Sequence, residues 1–252
     1  MGETLTAVTA GKAAKAGSAG RTGHLFYSIM AVAILIAAFG GFAQTYYLKT
    51  LFGTPPLPLV IHIHAMAFTA WLALFVAQTT LIRTHRVRIH QRLGYFGACL
   101  AAAMAVLGFM AAVESARLGH GDGELTHDPI EALITNLISL GLFVVFFALA
   151  YFQRRNGEAH KRWMLLATTA GLMPAAIGRW PIFGGKPAGA VVVIFAFVLA
   201  GPIYDLISRR RIHPVYIWGL ILYFLLAPPV RLRIARTNLG HDFGASLIRG
   251  RQ

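Results

Sequence analysis

The stretch "VIHIHAMAFTAWLALFVAQTTLIR", residues 60–83, decides the fold. It holds no acid, and its one arginine is the last residue. At 1.5 Å of rise per residue, about 20 apolar residues cross the hydrocarbon of a bilayer as a helix. Near one end the run carries His62 and His64. Ionisable groups at membrane depth are costly, so a histidine there is a candidate for function.

The rest of the chain reads the same way. Of 252 residues, 57% are hydrophobic and only 13% are charged, and mean hydropathy is +0.63. Soluble domains carry roughly 25% charged residues. Apolar segments recur at 25–47, 57–82, 93–113, 132–153, 163–178, 188–207 and 215–230. "GTPPLP" separates the first two and "PIFGGKP" the fifth and sixth. The expected fold is an all-α polytopic bundle of about seven transmembrane helices. A β-barrel would show alternating segments of about ten residues instead. The single cysteine, Cys99, excludes an intramolecular disulfide.

The net charge of +14 is a matter of topology. Of 23 lysines and arginines, fourteen fall on one set of connections and four on the other. The first set includes Arg83, Arg86, Arg88, Arg92, Arg154, Arg155 and Arg209. The positive-inside rule makes that side cytoplasmic, with the N-terminus on it. Its expected partners are the bilayer and anionic lipid at the cytoplasmic face, rather than nucleic acid. Three regions follow: a disordered cytoplasmic tail over 1–23, a transmembrane domain over 24–230 and a basic tail over 231–252. That tail holds the remaining five arginines, on the side where the rule does not want them.

Within residues 60–83, residues two apart point about 200° apart, so His62 and His64 face different ways. His64 shares one stripe with Phe68, Trp71, Phe75 and Gln78. On the outer side lie Glu114, Asn136, Arg179 and the loop residues Asp122, Glu124, His127, Asp128 and Glu131. Two functional readings suit that composition. One is a metal site from His64, His62, Glu114 and Asp128. The other is a polar path along His64, Gln78, Asn136 and Arg179, with Pro174 breaking the fifth helix below Arg179. The bland alternative is interhelical hydrogen bonding beside a solvated acidic loop. No His-x-x-x-His ligand spacing occurs on a helix.

On the cytoplasmic side, "HQRLG" (90–94) and "HKRWM" (160–164) each open a helix after an arginine-bearing loop. Two helical hairpins thus close on His-x-Arg, as a duplicated unit would. His90 and His160 are candidate axial ligands to a haem b, with Arg92 and Arg162 on its propionates. A quinone head group bonded by histidine is the neighbouring option. His64 is a further candidate cofactor ligand, but it lies near the opposite face from His90 and cannot serve one haem with it, so it would need a partner from another helix. Asp205, one turn from Arg209, reads as a local ion pair.

The order of these motifs resembles a class of predicted bacterial multi-pass membrane proteins of uncharacterised function. The likeness spans about residues 57–180: His64 and Gln78 in one span, His-x-x-x-Gly at His90–Gly94, His-x-x-Trp-Met at His160–Met164, then Arg179. It implies a helical domain in the bacterial inner membrane and brings no activity. Four functions remain in play: a haem or quinone redox protein, a proton-coupled transporter, a metal-dependent enzyme with an outer site, and a non-catalytic assembly subunit. Whether the chain is an enzyme, and its oligomeric state, stay open. Phosphate-loop, dinucleotide and nucleophile-elbow motifs are absent from the sequence.

Overall fold

A computed structural model describes residues 23–53, 55–121, 125–183 and 186–249. The expected segment 1–23 lies almost wholly outside them. The described residues are helical and contain no strand. They form α1 (Gly23–Tyr47), α2 (Leu59–Arg83), α3 (Val87–Arg117) and α4 (Pro129–Phe152). Next comes α5, residues 157–177, then α6 (Pro187–Arg209), α7 (Pro214–Leu225), α8 (Pro228–Ala235) and α9 (Asn238–Arg249). Four of them, α4, α6, α7 and α8, carry proline in the first turn, where a missing N–H costs nothing. Asp128 and Asn156 cap α4 and α5 by accepting from two backbone N–H groups each.

Among the described residues, six helical runs are long and apolar enough to cross a membrane: α1, α2, α3, α4, α6 and the α7–α8 run Pro214–Ala235. The seventh expected span, the fifth in sequence, is helical throughout but is not one regular helix. It runs as α-helix Gly157–Leu166, π-helix Ala167–Leu172 and α-helix Met173–Ile177. The cause is local. Pro174 has no N–H to give to the carbonyl of Ala170, four residues back. Thr168 and Thr169 bond back to the carbonyls of Met164 (3.1 Å) and Leu165 (2.8 Å), which also loosens a helix. The freed Ala170 carbonyl receives the guanidinium of Arg231 at 3.4 Å.

α5 is the central helix. Leu166, Ala167, Thr168, Thr169 and Ala170 are fully buried. α4 presses on it at Gly171, where an added Cβ would stand 2.7 Å from the Phe143 Cα. α1 presses on it at Gly41, where a Cβ would stand 1.9 Å from the Ala176 carbonyl oxygen. Glycine is required at both places because two backbones meet. The outer helices turn large apolar side chains outward, among them Ile36, Phe96, Val106 and Val192. A bilayer supplies the apolar surroundings such a girdle needs.

The bundle has a basic end, with Arg83, Arg154 and Arg209, and a far end, with Glu114 and Asp128. α7 starts at the basic end, beside Asp205: the His213 N–H donates to its carboxylate at 3.2 Å. The run leaves α8 at the far end, where Arg236 grips Glu131 at 2.7 and 3.2 Å. The boundary expected at residue 230 therefore falls inside packed structure. Arg231 is buried and donates to the Ser139 hydroxyl and the Leu226 carbonyl. The arginines that broke the charge rule are in part not free charges, since Arg231 is buried and Arg236, exposed in the turn after α8, pairs with Glu131.

Candidate cofactor cavity

The α2–α3 hairpin turns tightly through His85, which takes a left-handed conformation at φ 59°. The α4–α5 hairpin turns through Asn156. Each returning helix carries its histidine as its fourth residue: His90 in α3 and His160 in α5. The two hairpins lie against each other, so the two first turns meet. The imidazole centroids are 6.2 Å apart and the ring planes stand at 80°.

Both rings turn Nδ1 into protein. Nδ1 of His160 lies 2.9 Å from the Ala150 carbonyl, near the end of the preceding helix. Nδ1 of His90 is buried without a formed bond. Both histidines line one open space, and Nε2 is the ring nitrogen not turned into protein by these contacts. At His160 the carbonyl favours the tautomer with Nδ1–H, which leaves Nε2 bare for a metal. Gln78 ties the hairpin by donating its amide to the His90 carbonyl at 3.2 Å.

The open side is a cavity of about 930 Å³. That volume sits at the upper end of the range for small-molecule and cofactor sites. α1 to α5 all line it. Its inner wall is aromatic, with Trp71, Phe75, Phe147 and Tyr27. Trp71 packs edge-on against Phe143 at 5.1 Å and Phe147 at 5.7 Å, which fixes the wall. Gly94 and Gly97 keep the α3 side thin. The basic lining residues are Arg88, Arg92, Arg154, Arg155 and Lys161, and Glu158 is the one acid among the lining residues. Glu158 is already engaged by Lys161 (2.6 Å), Arg162 (2.8 Å) and Arg209 (2.7 Å). The lining therefore offers cation to a bound anion.

Of the residues expected to hold a cofactor, His90, His160 and Arg92 line this cavity and His64 does not; Gln78, expected on a polar path, lines it as well. Arg162 does not. It is fully buried, and its Nε and Nη2 donate to the two oxygens of Asp205 at 2.8 and 2.6 Å. Two residues from His160, it points to the other side of α5. Asp205 in turn is not mainly a partner of Arg209, which stands 4.0 Å away.

The far end is different. His62 meets the Tyr46 hydroxyl at 3.3 Å. His64 is largely enclosed between Phe68 and Gly108, with Nδ1 unbonded. Glu114 stands 3.9 Å from Arg117. Asp128 caps α4, and Arg179 donates to the Ala175 carbonyl at 2.6 Å. Asn136 is half-buried on α4. Among the described residues no three of His, Cys, Asp or Glu gather as a metal site would require. Asp122 and Glu124 lie outside the described residues. His64 and Gln78 are 14 residues apart on one helix, about 21 Å of rise, so they stand at different depths.

Sequence reasoning missed Tyr27, Trp71 and Arg154–Arg155 as cavity residues. The hairpin repeat could have found the arginines, which precede His160 as Arg86 and Arg88 precede His90. No family model, curated protein or solved structure matches the chain.

Proposed function

We propose that this is a membrane redox protein that holds a b-type haem between His90 and His160. The observation that carries the reading is the 6.2 Å separation of the two rings at the cavity wall. A metal held at about 2 Å from a nitrogen on each side puts two imidazole centres about 6 Å apart. Arg92, Arg88 and Arg154 supply counter-charge for propionates. The cavity volume and its apolar inner wall suit a porphyrin. Haem would supply one-electron exchange. The chain's part is to hold both Nε2 atoms, exclude water with Trp71 and Phe147, and neutralise the carboxylates. In this reading the basic end faces the cytoplasm of a bacterial cell.

A second reading is a quinone head group. It is favoured by the buried Gln78 Oε1 and Trp71 Nε1, which have no partner among the described residues although both side chains line the cavity.

The test is an absorption spectrum of the detergent-purified protein, oxidised and then dithionite-reduced, with extraction of bound quinone from the same sample. A six-coordinate b-haem spectrum, lost in His90→Ala and in His160→Ala, is expected. A colourless protein that carries quinone would replace the haem reading with the second one.

A further inference from the structure

The last helix, α9, has three distinct faces. Gly240, Gly244, Leu247 and Ile248 form an i, i+4, i+7, i+8 stripe toward the protein. An added Cβ on Gly244 would stand 2.6 Å from Ile130 of α4. Arg117, the last residue of α3, donates to the carbonyls of Ile248 (3.2 Å) and Leu247 (3.3 Å), closing the C-terminal end of α9. The helix therefore lies across the far ends of α3 and α4.

Asn238, Asp242 and Arg249 make a second, polar face. The third face is apolar and uncovered. Leu239 is 83% exposed and Phe243 54%, one turn apart. α9 begins three residues after the membrane-crossing run ends at Ala235, so it cannot leave the level of the membrane surface. Below it, α3 turns Phe109 and Met110 outward, continuing the apolar girdle. Arg233 and Arg249, both exposed, stand near the two ends of the helix, where lipid phosphates would be.

We propose that α9 is an interfacial helix that seats Leu239 and Phe243 in the boundary between lipid head groups and acyl chains at the far end. An amphipathic helix in that position lies in the plane of the interface with its apolar face a few ångströms deep. This inference is independent of what fills the cavity.

The experiment uses the full chain with Cys99→Ser, in vesicles of phosphatidylcholine and phosphatidylglycerol. Single cysteines replace Asn238, Leu239, Asp242 or Phe243 and carry a nitroxide. Power-saturation spectra compare collisions with oxygen, which concentrates in lipid, and with a water-soluble nickel chelate. Labels at 239 and 243 are expected to favour oxygen, and labels at 238 and 242 to favour nickel. Nickel-favouring values at all four positions would overturn the proposal. So would immobilised labels at 239 and 243 shielded from both reagents, which would put a protein partner on that face.

Discussion

The two ends of the bundle are built from similar residues and behave in opposite ways. Each has histidines, arginines and carboxylates within a few turns of the membrane surface. At the basic end, two histidines at the same helix position approach to 6.2 Å beside open space. At the far end several polar groups serve local needs, and His64 Nδ1 is buried without a bond. Asp128 caps a helix, His62 meets a tyrosine and Arg179 takes a carbonyl one turn away. A site needs convergence on a space. A high local density of polar residues is not enough.

The sharpest way to break this contrast is to exchange mutations between the ends. His90→Ala or His160→Ala is expected to abolish cofactor binding outright. His62→Ala at the far end is expected to leave it intact. Spectra and cofactor content of the three variants decide the matter, and cofactor loss in His62→Ala would erase the distinction.

The next effect concerns the ion pair behind the cavity. Asp205→Ala leaves the Arg162 guanidinium buried beside the lost carboxylate. Breaking one partner of such a pair costs about 3–5 kcal/mol. Thermal unfolding in detergent is expected to show a large drop, and the pair replacement Arg162→Met with Asp205→Leu to recover most of it. A mild effect from Asp205→Ala would mean that Glu158 alone holds the arginine.

A smaller effect tests the far end directly. Asp128→Ala removes two bonds to backbone N–H groups and is expected to cost about 1 kcal/mol, the usual worth of an N-cap. Metal content by elemental analysis should not change. A loss of bound metal in this variant would make the far end a site after all.

The smallest effect is a pH dependence. Burial, then the charge of Arg162, pushes His213 below its ordinary pKa of 6.5. Its Nδ1 also accepts the Val215 N–H at 3.2 Å, which protonation would forbid. The unfolded chain therefore takes up this proton before the folded protein does. Its contribution is full above pH 6.5 and is lost progressively as pH falls below that value. The unfolding midpoint of the wild type should fall more between pH 7.5 and 5.5, on the order of this titration range, than that of His213→Asn. Parallel curves would exclude the group.

Much of the fold was legible because apolar length is a strong signal. The α2 stripe of Phe68, Trp71 and Phe75 is buried as its spacing requires. The meeting of His90 and His160 was legible from the repeated hairpin. Arg162 was placed on the wrong side of α5, although the spacing rule that parted His62 from His64 applies equally to His160 and Arg162. The π-helical turn was half legible. Pro174 announces a break, but the Arg231 that answers the Ala170 carbonyl comes from more than fifty residues later, and no local pattern links the two. The packed end of the chain was hidden for a similar reason, since Arg231 and Arg236 look like free surface charge until Ser139 and Glu131 are brought to them.

The central claim is that His90 and His160 together hold one iron. Electron paramagnetic resonance of the ferric protein at low temperature tests it most directly. With ring planes at 80°, the account predicts one low-spin, bis-imidazole species per chain with the strongly anisotropic signal of near-perpendicular ligands, absent from His90→Ala and from His160→Ala. A protein without low-spin iron, or a signal that survives loss of either histidine, would contradict it.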